Sequence, residues 1–244
     1  MCLLALRWRV VPGAPVVLAA NRDESRDRPF DPPRVHAGAV PFVAPVDRRA
    51  GGSWVGLNAA GLVAAVTNRP QRAPSLGGRS RGLLLLDALR APTLDRLREA
   101  LERHLRGQGT TYDNFHLLAA SADGAFVVRY HDGWTELTDL EEGDHFLTNE
   151  DELDEPRPPG PAGPPAAGAA EEAARLAATL ADHGPVLPGG RPPCKHGEGR
   201  GTVSATVVAV PEEGVRGAVV RFAAGPPCEA AWEDFDALAR GLAP

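Results

Sequence analysis

Lysine is almost missing from this 244-residue sequence: it occurs once, as Lys195, and the other basic residues are arginine. We read that skew as the coding bias of a GC-rich genome and not as chemistry. The 26 basic residues are outnumbered by 32 acidic ones, giving a net charge of −6 and a pI near 5.7. A general nucleic-acid binder is excluded, because such proteins carry a basic surface to meet phosphate. Cysteine is also scarce. Cys2, Cys194 and Cys228 are too few and too irregularly spaced for a disulfide framework, and three cannot all pair. No stretch approaches the roughly 18–20 apolar residues that span a bilayer. The opening Met-Cys-Leu-Leu-Ala-Leu-Arg-Trp-Arg lacks the basic-then-apolar order of a secretory signal, so a cytoplasmic location is expected. Internal repeats are absent. So is a phosphate loop, since Gly77-Gly78 has no Gly-Lys-Ser pattern after it.

What is present suits one domain over residues 1–244, because 43% hydrophobic residues can fill a sizeable core. Apolar runs at 2–10 and 15–20, joined by Pro12-Gly13, predict a hairpin. The charged, Pro-rich 22–36 reads as a loop. Runs at 53–57 and 61–67 predict a second hairpin. A helix is expected from Ser80 to Arg90, and another from Leu94 to Leu105, capped by Thr93. In the latter, Leu94, Leu97, Leu101 and Leu105 share one face. Strands follow at 114–120, 125–130, 133–138 and 144–148, with Asp123-Gly124 and Asp132-Gly133 as turns. The Pro/Gly-rich 156–168 reads as a stiff surface loop. Beyond it come an Ala-rich helix at 169–182, strands near 203–210 and 217–222, and a last helix near 228–240 opened by a buried Cys228. Segregated hairpins and helices imply an α+β protein; two antiparallel sheets between helical layers would fit, and pattern alone does not choose that over other α+β folds.

Cys2 stands directly after the initiator Met and is small enough for that Met to be removed. The chain would then begin with a thiol and an amine on one carbon. The thiol is a nucleophile; the amine, with a reference pKa of about 7.7–8.0, is a base near neutral pH. A Cys at this position is by itself more often an inert strand residue. Asn21-Arg22-Asp23-Glu24 ends the second predicted strand, so hairpin pairing brings Asp23 near the start of the first, where a carboxylate can orient an ammonium. Asn68 and Asn149 end two other strands. Each is either a turn former or an amide donor to a developing oxyanion. Trp54, in Gly51-Gly52-Ser53-Trp54, is a core residue or a pocket wall, and Asp47 and Arg48 precede it. Cys194 and His196 are two apart, but metal binding needs two more ligands and none stands beside them in sequence, so no metal is expected.

Met-Cys, Asn-Arg-Asp-Glu at 21–24, Gly-Gly-Ser-Trp at 51–54, Gly61 with Thr-Asn at 67–68, and Ser-Arg-Gly at 80–82 resemble, in that order, the NRDE family, also called the transport and Golgi organization protein 2 family. Leu-Thr-Asn at 147–149, Cys-Lys-His-Gly at 194–197 and Gly-Thr-Val-Ser-Ala-Thr at 201–206 look like its later part. The resemblance implies a four-layer αββα N-terminal-nucleophile (Ntn) hydrolase-like sandwich of antiparallel sheets. A more distant similarity, to the cysteine acylases of the bile-salt-hydrolase and penicillin-V-acylase type, implies Cys2 as nucleophile, Asp23 at the amine, and Asn68 and Asn149 at the oxyanion. Asn21, Arg22 and Trp54 are then expected to touch substrate. The sequence departs from the acylase pattern at Ala20, where those enzymes carry Arg, and at 202–206, where a second Arg has no counterpart. Two functions follow from the resemblance. One is an amidohydrolase acting on a small-molecule amide through Cys2 with no cofactor. The other is a carrier of haem or a lipid-like ligand on the same scaffold, with Cys194 or His196 at the ligand. No nucleic-acid partner is expected under either.

Overall fold

The computed structural model describes residues 2–71, 78–106, 111–149, 153, 164–185 and 191–243. Its strands are β1 (Leu3–Val11), β2 (Ala14–Ser25), β3 (Phe30–His36), β4 (Phe42–Asp47), β5 (Val55–Asn58), β6 (Val63–Asn68), β7 (Phe115–Ala120), β8 (Ala125–His131), β9 (Trp134–Asp139), β10 (Gly143–Thr148), β11 (Arg200–Val210), β12 (Val219–Ala223) and β13 (Trp232–Asp234). The helices are α1 (Arg81–Ala88), α2 (Leu94–Arg106), α3 (Ala169–Leu180) and the short α4 (Asp236–Arg240). The strands form two antiparallel sheets, one in the order β10-β1-β2-β11-β12-β13 and the other β3-β4-β5-β6-β7-β8-β9.

Strand alternation sorts the core into layers. Leu4, Leu6 and Trp8 of β1, with Val16, Leu18 and Ala20 of β2, face Val43, Leu57, Val63 and Ala65 of the other sheet. The odd positions Leu3, Ala5, Val17 and Ala19 face outward onto Ala173, Leu176 and Leu180 of α3. On the far side Phe42, Ala64, Phe115 and Leu117 pack under α1 and α2. The result is the expected α+β sandwich of helix, sheet, sheet and helix. Leu94, Leu97, Leu101 and Leu105 are all buried, each contributing about 1.5–3 kcal/mol. The Thr93 hydroxyl caps α2 by accepting from the Arg96 amide at 3.2 Å. Asp132 and Gly133 both take positive φ, the primed turn that the β8–β9 hairpin needs.

Three expectations are corrected. The segment 22–36 is not a loop: β2 runs on to Ser25, and Phe30–His36 is an edge strand. Pro32 and Pro33 are tolerated there because an edge leaves one side unpaired, and a register shift between Asp31 and Arg34 absorbs them. β4 was not foreseen, because all six of its residues are buried and it shows no alternation. The helix expected near 228–240 shrinks to α4. Trp232–Asp234 pair with Ala223–Arg221 instead, and Cys228 is exposed in a turn where the Glu229 and Ala230 amides donate to the Pro226 carbonyl. Of the Pro/Gly-rich 156–168, residues 156–163 lie outside the described residues, and 164–168 lead, partly exposed, into α3. Among the described residues no helix is long and apolar enough to cross a membrane.

Candidate active site

At one end of the sandwich the two sheets part over a cleft of about 280 Å³. The first sheet supplies Cys2, just before β1, and Arg22, Asp23 and Glu24 from the end of β2. The second supplies Asn68 at the end of β6 and the Asp47–Trp54 connection. Gly78–Gly82 leads from the cleft into α1.

Register explains the first group. Leu3 pairs with Asn21, so the next step outward sets Cys2 across from Arg22, and Asp23 one residue beyond. On the other side Leu3 pairs with Thr148, which by the same step sets Cys2 across from Asn149. Cys2 is half-buried, and its thiol donates weakly to the Asp23 main-chain carbonyl at 3.8 Å. Burial pushes the Cys2 thiol pKa up; the charge of Asp23 adds to this, while Arg22 opposes it. The thiol is therefore neutral at neutral pH and needs a base to become a nucleophile.

The Asp23 carboxylate is 6% exposed. It accepts from the Thr202 hydroxyl at 2.7 Å and faces the Lys195 ammonium at 3.4 Å. Arg22 lies over the Trp54 ring, 4.2 Å from its centroid, and its Nη2 donates to Asp47 at 2.9 Å. Burial lowers the Arg22 pKa, and Asp47 works against that, so the guanidinium stays charged. Its Nη1 is buried without a hydrogen-bond partner among the described residues. Asp47 holds this wall in place: one oxygen takes Arg22 and Arg28, at 2.9 and 2.8 Å, and the other takes the Arg49 and Ala50 amides.

The motif glycines serve close approach. A side chain on Gly52 would place its first carbon 2.3 Å from the Gly82 carbonyl carbon, and the Ser53 amide donates to the Gly82 carbonyl at 3.1 Å. Gly-Gly-Ser-Trp and Ser-Arg-Gly are thus the two sides of one backbone contact that forms the cleft floor.

The structure gathers Cys2, Arg22, Asp23, Trp54 and Asn68 around the cleft. Asn149 is not among the residues lining it, although its side-chain oxygen is buried and unpartnered among the described residues. Asn21 corrects an expectation. Its odd position in β2 turns it to the outer face, where its amide is buried and donates to the Leu180 and Pro193 carbonyls, each at 2.9 Å. It cannot touch a ligand in the cleft. Arg48 is exposed and pairs with Asp31. Arg28, Arg79 and Asp113 line the cleft and were not singled out, because single charged residues in loops carry no sequence signal; Arg81, at the start of α1, lines it too and stood only inside the Ser-Arg-Gly motif. Cys194 and His196 lie outside the cleft. The expectation that they lack companions is also corrected: His183 and Cys228, 11 and 34 positions from Cys194, are beside them.

The fold has known counterparts. Penicillin V acylase from Agrobacterium tumefaciens superposes with a TM-score of 0.64 at 18% identity, covering 99% of this chain and 88% of that one. A mutant conjugated bile acid hydrolase from Clostridium perfringens gives 0.52 at 12% identity, covering 96% of each chain. An N-acylethanolamine-hydrolyzing acid amidase ortholog from Caenorhabditis elegans gives 0.52 at 12%, covering 84% of this chain and 92% of that one. At these identities the likeness establishes the Ntn-hydrolase fold. The transport and Golgi organization protein 2 homolog of Bos taurus is 29% identical over 160 residues, which are 61% of this chain and 57% of that protein, so the match spans little over half of the relative. With the family model for Transport and Golgi organisation 2 matching residues 1–159, the chain belongs to that family.

Proposed function

We propose that the chain hydrolyses a small polar amide, with Cys2 as the nucleophile once Met1 has been removed. The observation that carries this reading is the register of β1 and β2, which sets Asp23 one residue past the position across from Cys2, inside a cleft the thiol also lines. In this reading the neutral α-amine takes the thiol proton as sulfur attacks the amide carbon, and Asp23 steadies the ammonium so formed. The proton passes to the leaving amine, and water then cleaves the thioester. Asn68 and Asn149 donate to the oxyanion. An amide presents oxygen or N–H according to a half-turn of its last bond, so the unpartnered end of Asn149 can serve as the donor.

Arg22 bears on substrate class. A charged guanidinium with one buried, unpartnered nitrogen favours a carbonyl or carboxylate in the cleft. A haem or lipid carrier on the same scaffold calls for a mainly apolar slot. The acidic and basic side chains lining this cleft support the hydrolase reading over it.

Intact-mass measurement of the purified protein should show a chain beginning at Cys2. In a panel of N-acyl amines and N-acyl amino acids, turnover should disappear in Cys2→Ala while the circular dichroism spectrum is kept. Retained Met1, or turnover that survives Cys2→Ala, defeats the proposal.

A further inference from the structure

Away from the cleft, four donor side chains from three separate stretches of chain meet. His183 lies just beyond α3, Cys194 and His196 lie in the segment before β11, and Cys228 is in the turn between β12 and β13. Their sulfur and ring-nitrogen atoms all lie within 4.8 Å of one another. Cys194 Sγ is 3.4 Å from Cys228 Sγ and 3.7 Å from His196 Nε2, and His196 Nε2 is 3.2 Å from Cys228 Sγ. The two imidazoles meet edge to face, with centroids 5.1 Å apart.

Zinc bound tetrahedrally, at about 2.3 Å from sulfur and about 2.0–2.1 Å from nitrogen, spaces two sulfurs about 3.8 Å apart and a sulfur–nitrogen pair about 3.6 Å apart. The separations of 3.4, 3.7 and 3.2 Å lie close to those values. The outer shell also fits. His196 Nδ1 faces the Glu229 carboxylate at 3.6 Å, so Nε2 is the nitrogen turned to the thiols, the arrangement in which a carboxylate orients a metal-binding imidazole. Two sulfurs and two nitrogens around one point select zinc over hard cations, which prefer oxygen.

We propose that His183, Cys194, His196 and Cys228 bind one zinc ion in a closed structural site. Four protein ligands leave no open position for chemistry, so the ion acts as a clamp. It ties the end of α3 and the β12–β13 turn to the segment carrying Lys195, whose ammonium faces Asp23. Asn21 stitches the same region from beneath through the Leu180 and Pro193 carbonyls. The site stands on its own geometry and does not depend on the role of Cys2.

Full-length protein purified under reducing conditions should carry one zinc per chain by elemental analysis. Cobalt in its place should give intense visible d–d bands and a thiolate charge-transfer band. His183→Ala and Cys228→Ser change exposed residues and should keep the fold by circular dichroism. In competition with a chromophoric chelator, each should weaken zinc binding by more than the roughly 10–100-fold typical of outer-shell changes. Cys2→Ala should bind zinc as the wild type does, which separates this test from that of hydrolysis. The proposal is overturned if reduced protein takes up no zinc at micromolar concentration, or if both variants bind as tightly as the wild type. A Cys194–Cys228 disulfide in protein that takes up no zinc after reduction would make the pair a redox couple and overturn it equally.

Discussion

Cys2 keeps its proton, and the consequence can be measured. Burial and the nearby Asp23 charge raise the thiol above its ordinary value of 9.0, so the anionic form is scarce near neutrality and accumulates only as pH climbs through and beyond that value. In protein that retains Met1, alkylation of Cys2 by iodoacetamide, followed by peptide mass mapping, should be slow at about pH 7 and still accelerating above about pH 9. A rate that levels off below about pH 8 would reveal a thiolate already formed and remove the need for the amine as base. At this scale the candidate site was legible in part. Cys2, Asp23 and Asn68 could be read because each sits at a strand end, where a side chain can leave the core without breaking a ladder. Arg22 lies on the inner face with Cys2, Asn21 on the outer one. Parity alone separates these neighbours, and a four-letter motif treats them alike. His183 and Cys228 were invisible as companions of Cys194 because nothing in a sequence marks where two loops meet.

Among the elements, the cleft floor depends on the crossing of two chain segments at Gly52 and Gly82. A first side-chain carbon on Gly82 would lie 2.8 Å from the Ser53 carbonyl oxygen and 3.0 Å from its nitrogen, both backbone atoms that cannot swing aside. Gly82→Ala should therefore cost about 1–3 kcal/mol, the usual penalty of forced overpacking, read from the midpoint of urea unfolding. A loss below about 0.5 kcal/mol, the range of ordinary surface changes, would mean that the segments part easily. Helices with a clear stripe, such as α2, could be placed from spacing. β3, β4 and β13 could not. Proline obscured the first, uniform burial erased the alternation of the second, and the third exists only because β12 offers it an edge. Local pattern fails where tertiary pairing makes the choice.

Across the whole molecule, the outer helix α3 is pinned to its sheet by buried charge as well as by apolar contact. Arg7 of β1, 2% exposed, meets the fully buried Glu172 of α3 at 2.9 Å, with Asp144 of β10 at 3.2 Å and Arg175 beside them. Glu172→Ala would leave Arg7 with less compensation inside the protein and should cost about 3–5 kcal/mol in chemical denaturation. The double replacement Arg7→Met with Glu172→Leu should recover much of that loss, since an apolar pair of similar volume avoids stranding a charge. A single-variant loss under about 1 kcal/mol would put the pair in the class of surface ion pairs. Neither partner stood out in the sequence, where Arg7 sits in an apolar run and Glu172 in an Ala-rich helix. One chain-wide scarcity has its own consequence here. A protein with a single lysine offers acylating agents a single side-chain amine, and that amine is engaged with Asp23. Acetylation of Lys195 would cancel one positive charge and hand the carboxylate back to its remaining neighbours. Reagents that acylate lysine side chains therefore meet this chain at one position, and that position borders the Asp23 carboxylate.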